Sequence, residues 1–357
     1  MASKIFITGV TGYVGGDAFA ELYATHPEHD YTLFVRSEER AEKIKAAYPK
    51  AKNIRFAYGT LDDAEVLSRE AAAADVVLHT GASSDSIPAA QAIVKGIEAG
   101  HTVEHPGVYI HISGTGILTW YDMLHGRWGQ PPVAEQTYDD VAGIEQILTL
   151  PDAAPHQEVD KVVLAAAATT AAMRTAVVTP PLIYGIGRGA GNRRSIQAPA
   201  MAAYVLQRGY GPVVEGSGET VWDNLYVRDL SALLVRMVEA GLRPAERDDD
   251  DLFGPRAYYF AANETVHRWS DLAQWLADSA AEQGLGGTGT KRGVVKQVPM
   301  ADVLGAGASG HVTWGTNSRG NAVRARQFLG WKPTGPSLHD EVAAIVAFEA
   351  ARLGIKG

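Results

Sequence analysis

The chain is predicted to be an α/β protein, with a doubly wound parallel sheet followed by a smaller α/β lobe. Three observations lead there. The N-terminus is a short apolar strand that breaks into spaced glycines and then a helix, Lys4-Ile5-Phe6-Ile7-Thr8-Gly9-Val10-Thr11-Gly12-Tyr13-Val14-Gly15-Gly16. Short apolar runs then alternate with helical stretches as far as Thr179, as in a parallel sheet with crossover helices. Beyond Pro181 the alternation loosens, and a long, glycine-interrupted second half follows.

Composition sets the outer limits. At 357 residues the chain has room for two domains, or for one enlarged α/β domain with an appended lobe. A 46% hydrophobic content supports an ordinary globular core. A net charge of −9 without clustered Lys and Arg argues against nucleic-acid binding. The absence of cysteine excludes disulfides, thiolate metal sites and a cysteine nucleophile, and no metal site is expected. The N-terminus lacks the charged-then-apolar layout of a signal peptide. The longest apolar stretch, 162–173, is too short to span a bilayer. The expectation is a soluble cytoplasmic protein with no membrane or nucleic-acid partner.

The first element is the strand at Ile5 and the helix after Gly16. The spaced glycines suit a dinucleotide: one for a tight turn, one for approach of backbone to a pyrophosphate, one for close helix packing. The helix N-terminus offers unpaired N–H groups to the phosphates. Gly9, Thr11, Gly12, Tyr13, Val14 and Gly15 are the expected contacts. A second strand over 31–35 ends in Arg36-Ser37. An acidic residue there would take the ribose hydroxyl of NAD, whereas arginine pairs a 2′-phosphate. Arg36, with Ser37 and Arg40 nearby, therefore points to NADP(H).

A charged helix over 38–48 and a strand over 54–59 follow, with Leu61 at the cofactor edge and Asp62 or Asp63 capping the next helix. A fourth strand over 74–82 brings Thr80, Gly81 and Ala82 to the same edge, with His79 inside the sheet. After a helix over 88–99, a fifth strand over 108–112 ends in Ser113-Gly114-Thr115. These hydroxyls either orient a substrate carbonyl or simply close the strand end. Trp120, Tyr121 and Trp128 then lie in an irregular stretch that covers an organic substrate or packs. His156-Gln157-Glu158-Val159-Asp160-Lys161 opens an alanine-rich helix, and the sixth strand, 175–179, runs into Pro180 and Tyr184.

In the second half, arginines at 188, 193 and 194 precede a helix to Gly209. A strand containing Trp222 leads into a helix to Gly241. Trp120, Tyr184, Arg193 and Trp222 are the expected substrate contacts. The acidic run 248–251 reads as a solvated loop. A strand over 258–262 and a helix over 269–283 follow. The glycine-rich stretch 284–293 is expected to be mobile, and helices over 322–329 and 338–353 close the chain.

With these pieces in view, the chain resembles the extended or atypical branch of the short-chain dehydrogenase/reductase superfamily, the epimerase/dehydratase-like group. The resemblance rests on Thr8-Gly9-x-x-Gly12-x-x-Gly15, Pro180 with Tyr184-Gly185, Tyr226-Val227-Arg228-Asp229-Leu230, and Leu329-Gly330-Trp331-x-Pro333. It implies a Rossmann core over 1–181 and 224–263, with Pro180 at the cofactor, and a substrate lobe over 182–223 and 264–357. It also implies hydride transfer at the nicotinamide, and helix-pair homodimers are frequent in the group. In the usual mechanism a Ser or Thr orients the carbonyl, a Tyr donates the proton, and a Lys four residues later lowers the Tyr pKa. Here the only Tyr-x-x-x-Lys, Tyr48 to Lys52, falls between the second and third strands. Where the pair belongs, one register offers Gln157 and Lys161, the other His156 and Asp160. The reading adopted takes Ser113, Thr115 and His156 as catalytic, with Lys161 serving the site and the cofactor. It makes the chain an NADP(H)-dependent reductase of a carbonyl in a small, partly apolar organic molecule. The rivals are a catalytically silent cofactor sensor of the NmrA-like kind and a nucleotide-sugar epimerase or dehydratase.

Overall fold

The first strand, β1 (Lys4–Thr8), is apolar on both sides because both sides are covered. Ile5 and Ile7 join one core cluster and Phe6 the other, on opposite faces of the sheet. Around β1 the chain builds β2 (Asp30–Val35), β3 (Ile54–Tyr58), β4 (Val76–His79), β5 (Gly107–Ile112) and β6 (Met173–Thr179). Together with β10 (Tyr258–Phe260) they form a seven-stranded parallel sheet in the order β10-β6-β5-β4-β1-β2-β3. The order reverses at β1, so the crevice between the ends of β1 and β4 is where such sheets take a ligand. The computed structural model describes residues 2–285, 293–305 and 311–356. Most of the glycine-rich stretch expected to be mobile, 286–292, lies outside the described residues.

The longer helices of the first half are α1 (Tyr13–Thr25), α2 (Glu38–Ala47), α3 (Ala64–Ala72), α4 (Ile87–Gly100) and α5 (Gln157–Thr169). α1 begins at Tyr13, in the middle of the glycines, because contacts rather than propensity decide its start. A Cβ on Gly15 would run into the Thr80 hydroxyl and the Gly9 carbonyl. β4 stops at His79, three residues short of expectation. There the Thr8 hydroxyl replaces the ladder, accepting from the N–H groups of Thr80 (3.2 Å) and Gly81 (3.3 Å). Asp63 stands at the N-cap of α3, but its carboxylate turns back to the Thr60 N–H (2.5 Å) instead of capping the helix.

After β6 the chain leaves the sheet. It forms β7 (Leu182–Tyr184), α6 (Gln197–Arg208), β8 (Gly211–Val214) and β9 (Val221–Tyr226). It returns through α7 (Val227–Leu242), which packs on α1, and through β10. β11 (Val266–Arg268), α8 (Trp269–Glu282), β12 (Val295–Val298) and α9 (Leu338–Leu353) complete the lobe. β7, β9 and β11 make one small sheet, and β8 pairs with β12. Of these strands the sequence signalled only β9. The others have three or four residues, too few for alternation to register. Among the described residues no helix is long and apolar enough to cross a membrane.

One buried ion pair ties the two halves together. Asp17 on α1, fully buried, accepts from the Arg188 backbone (2.8 Å), from Arg188 Nη2 (2.6 Å) and from Ser231 Oγ on α7 (2.7 Å). Burial works against the carboxylate, but these bonds outweigh it and hold the Asp17 pKa below its ordinary value. A depressed carboxyl pKa stabilises the fold above the unfolded value and loses that contribution as pH falls through the folded one. Asp17→Ala removes the Arg188 and Ser231 hydrogen bonds and leaves the part-exposed Arg188 guanidinium with Glu21 alone. It is expected to cost about 2 kcal/mol at pH 7 by urea denaturation, with a smaller difference from the native protein in acid.

Candidate active site

At the carboxyl ends of β1, β2 and β4 lies a groove of about 630 Å³. Its floor is the glycine turn. Gly9 has φ +73°, and a Cβ there would sit 2.6 Å from both Gly81 N and Thr80 Oγ1. Gly12 is the N-cap of α1, without a side-chain cap and without an acidic residue in the first turn. The helix N–H groups are thus left to an anion, and the cradle fits a dinucleotide pyrophosphate. Arg36, Leu61 and Ala82 line the groove as expected. Thr11 does too, with its hydroxyl accepting from Arg40 Nη1 at 3.0 Å. Arg36 is exposed at the end of β2, beside Arg40. Two arginines at this edge suit a 2′-phosphate.

The chemistry-bearing groups gather at the end of β5. Ser113 Oγ donates to Asp160 Oδ2 at 2.9 Å, and Tyr258 OH donates to the same oxygen at 2.9 Å. Burial pushes the Asp160 pKa up to about 6 against these two bonds. The other Asp160 oxygen faces His111 Nε2 at 3.7 Å, and neither atom has a hydrogen-bond partner. Burial holds the His111 pKa well below its ordinary value, so this imidazole stays neutral.

His156 stands at the N-cap of α5 in the left-handed region, φ 69°. Its Nδ1 lies 3.0 Å from Asp85 Oδ1. Its Nε2 faces the turn after β5, 3.2 Å from where a Cβ on Gly116 would sit. Burial disfavours the imidazolium, but the hydrogen bond and charge of Asp85, with the charge of Asp160, outweigh it and raise the His156 pKa. The other non-glycine residue with positive φ among those described is Ala82, φ 42°, which opens the turn carrying Asp85. Both ends of the His156–Asp85 pair therefore sit beside backbone strain of about 1–3 kcal/mol each, of the kind that collects at functional sites.

Other expected site residues lie elsewhere. Lys161 points to solvent, where its ammonium pairs with Asp152 at 2.5 Å, because Asp160 has the inward position on α5. Gln157 is buried with its amide on the Leu148 and Leu150 carbonyls (3.4 and 3.3 Å). His156 and Asp160 therefore face inward and Lys161 outward, but the two inward residues do not pair: Asp85 holds His156, and Ser113 with Tyr258 holds Asp160. Thr115 is buried beneath Ser318, whose hydroxyl donates to the Thr115 carbonyl (2.8 Å), and its N–H donates to the carbonyl of Pro180. Trp222 packs on Trp269 in the lobe core and donates to the Thr316 carbonyl. Tyr184 is buried with its hydroxyl on the Pro336 carbonyl at 2.7 Å. As core side chains, neither Trp222 nor Tyr184 is free to hold a substrate. Arg193 Nε donates to the Gly187 carbonyl at 2.5 Å and shapes its own loop. Trp120 is half-buried on the Tyr138 hydroxyl. The side chain of Tyr13 turns into the core and donates to the Gly185 carbonyl (2.7 Å), and that of Val14 packs against the sheet, while their N–H groups remain in the uncapped first turn of α1 at the groove.

Asp85 escaped the sequence reading, since nothing in Ser83-Ser84-Asp85-Ser86 marks a partner 71 residues away. Asn192 was missed as well. It lines the groove because its N–H donates to the Thr11 carbonyl at 2.9 Å, and the neighbouring Gly191 leaves no room for a Cβ against Thr11.

The glycine cradle over a parallel sheet defines an NAD(P)-binding Rossmann protein. Residues 9–149 match a family model described as NAD(P)H-binding, and 148–247 match the NAD dependent epimerase/dehydratase family. "Oxidase ucsJ" of Acremonium sp is 32% identical over 359 residues, covering 99% of this chain and all of the relative. Solved structures share the fold at low identity. A dTDP-glucose 4,6-dehydratase from Bacillus anthracis, in complex with NAD, is 13% identical over 98% of this chain and 97% of its own, TM-score 0.66. DesIV of Streptomyces venezuelae, with NAD and TYD bound, is 16% identical over 98% of both chains, TM-score 0.65. The chain belongs to the NAD dependent epimerase/dehydratase family of NAD(P)-binding proteins.

Gly9→Ala forces a left-handed alanine against Gly81 and Thr80. It is expected to weaken NAD(P)H binding by at least about tenfold in a fluorescence titration, with far-UV circular dichroism unchanged.

Proposed function

We propose that the chain is an NADP(H)-dependent oxidoreductase that reduces a carbonyl of a small, partly apolar organic molecule, with His156 as the proton donor. The observation that carries this reading is the His156–Asp85 pair facing the turn after β5, His156 being the residue that one register of α5 sets in place of the usual tyrosine. A phenol of pKa about 10 needs a neighbouring cation before it exchanges protons at neutral pH, whereas an imidazole of about 6.5 does not. Replacement of the tyrosine by His156 removes the need for the lysine, and the carboxylate of Asp85 makes the imidazolium available near neutrality. That the relative in Acremonium sp is named an oxidase favours redox chemistry.

In this reading the glycine turn holds the pyrophosphate, and Arg36 with Arg40 holds the 2′-phosphate. A nicotinamide cofactor held there would supply the hydride for the carbonyl carbon. His156 delivers the proton to the carbonyl oxygen from Nε2, while Asp85 orients the ring through Nδ1. Ser113 lies at the same strand end, its hydroxyl held by Asp160. A nucleotide-sugar reading is weaker, because Arg194, a candidate phosphate ligand, is committed to the buried Glu349 at 2.5 Å.

His156→Gln is expected to lower turnover by about 10²–10⁴-fold while NADPH affinity is retained. Reduction uses the protonated imidazole, so kcat/KM falls as pH rises through the His156 pKa. Asp85→Asn removes the anion that raises that pKa and should move the fall to lower pH. A broad carbonyl panel giving no NADPH oxidation despite tight binding would overturn the enzyme assignment. Arg36→Asp should cost NADPH at least about tenfold more affinity than NADH in equilibrium binding. Equal affinity of the native protein for both cofactors would overturn the NADP(H) preference.

A further inference from the structure

At the opposite end of the sheet from the groove, two imidazoles and a carboxylate converge in the link between α1 and β2. We propose that His26, Glu28 and His29 bind one zinc ion, with water as the fourth ligand, and that the ion clips this link to α7. The inference is independent of the proposed reaction, and it departs from the expectation of no metal site.

Geometry carries it. The three donor atoms lie within 4.8 Å of one another. Glu28 Oε1 is 3.2 Å from His26 Nδ1 and 3.8 Å from His29 Nε2. A tetrahedral zinc with bonds of about 2.0–2.1 Å spaces its ligands about 3.3 Å apart. The two rings lie stacked, within 17° of parallel and with centroids 5.4 Å apart, and a rotation of the His29 ring about its side-chain bonds brings both in-plane lone pairs onto the ion.

A second carboxylate completes the arrangement. Glu239 on α7 lies 2.8 Å from His26 Nε2, where it takes that proton and leaves Nδ1 bare for a metal, as outer carboxylates do for metal-bound histidines. The backbone is fixed without the ion. Asn53 Nδ2 donates to the carbonyls of Pro27 (2.8 Å) and His29 (2.5 Å), and Tyr31 OH donates to that of His26 (2.7 Å). Both histidine side chains are mostly buried, whereas Glu28 is 58% exposed and leaves an entry from solvent. Zinc on His29 Nε2 puts the ring proton on Nδ1, at the cost of the 3.3 Å bond from the Ser3 N–H.

The test is a calorimetric titration of the untagged, chelator-treated full chain with zinc chloride, with cobalt(II) absorption as a second readout. The expected result is saturable 1:1 binding, a tetrahedral cobalt spectrum, and a melting temperature about 4 °C higher at a hundredfold excess over Kd. Glu28→Gln, an exposed and conservative change, and His29→Ala should each abolish the 1:1 site, and Glu239→Gln should weaken it by about tenfold. No saturable binding to the native chain, or 1:1 binding that survives Glu28→Gln and His29→Ala, would overturn the proposal and leave the cluster as ion pairs of protonated imidazoles.

Discussion

The close approach of the first turn to the end of β4 is the constraint on which the rest of the site depends. Thr8 makes it. Its hydroxyl accepts from Thr80 N and Gly81 N and lies 2.6 Å from His79 Nδ1, while Thr80 Oγ1 donates back to the Thr8 carbonyl at 2.7 Å. Burial pushes the His79 pKa down to about 3, so the ring is neutral and Nδ1 can take the one hydroxyl proton. With β1 and β4 knotted at this point, nothing larger than glycine fits at 9 and 15. Just beyond this knot β4 ends, Ala82 takes a left-handed conformation, and the turn it opens carries Asp85 to His156. The cofactor cradle and the partner of the candidate proton donor thus lie on one short segment, residues 80–85.

The fold was largely legible in the sequence, because the strands of the large sheet, apart from the partly exposed edge strand β3, are mostly buried apolar runs bounded by polar or glycine residues. The helix over 338–353 was legible too, with Ser337 and Asp340 forming its capping box. The lobe was not. Gly211-Pro212 does not look like a strand, yet β8 pairs there with β12, whose sequence lies 84 residues away. Such elements exist only as tertiary pairings. The cofactor edge was readable for the same reason as the sheet, since the glycine spacing and the arginine after β2 are local features.

The catalytic end was half legible. Sequence alone left two registers for α5, and the choice between them is a matter of which side chain tolerates burial. Asp160 goes inward because Ser113 and Tyr258 wait there to hydrogen-bond it, and Lys161 goes outward because its ammonium finds only Asp152 and water. The partners of Asp160 come from the end of β5 and the start of β10, so no pattern within the helix reveals them. Trp222 and Tyr184 failed as substrate contacts for a related reason. Large aromatic side chains in a small lobe are claimed first by its core.

The account stands or falls on the state of His156. The most direct measurement is an NMR titration of the His156 ring in the NADPH-bound protein, with Asp85→Asn alongside. The account predicts a pKa above 6.5 that drops when Asp85 becomes neutral. A ring that titrates at or below 6.5, indifferent to Asp85→Asn, would contradict it.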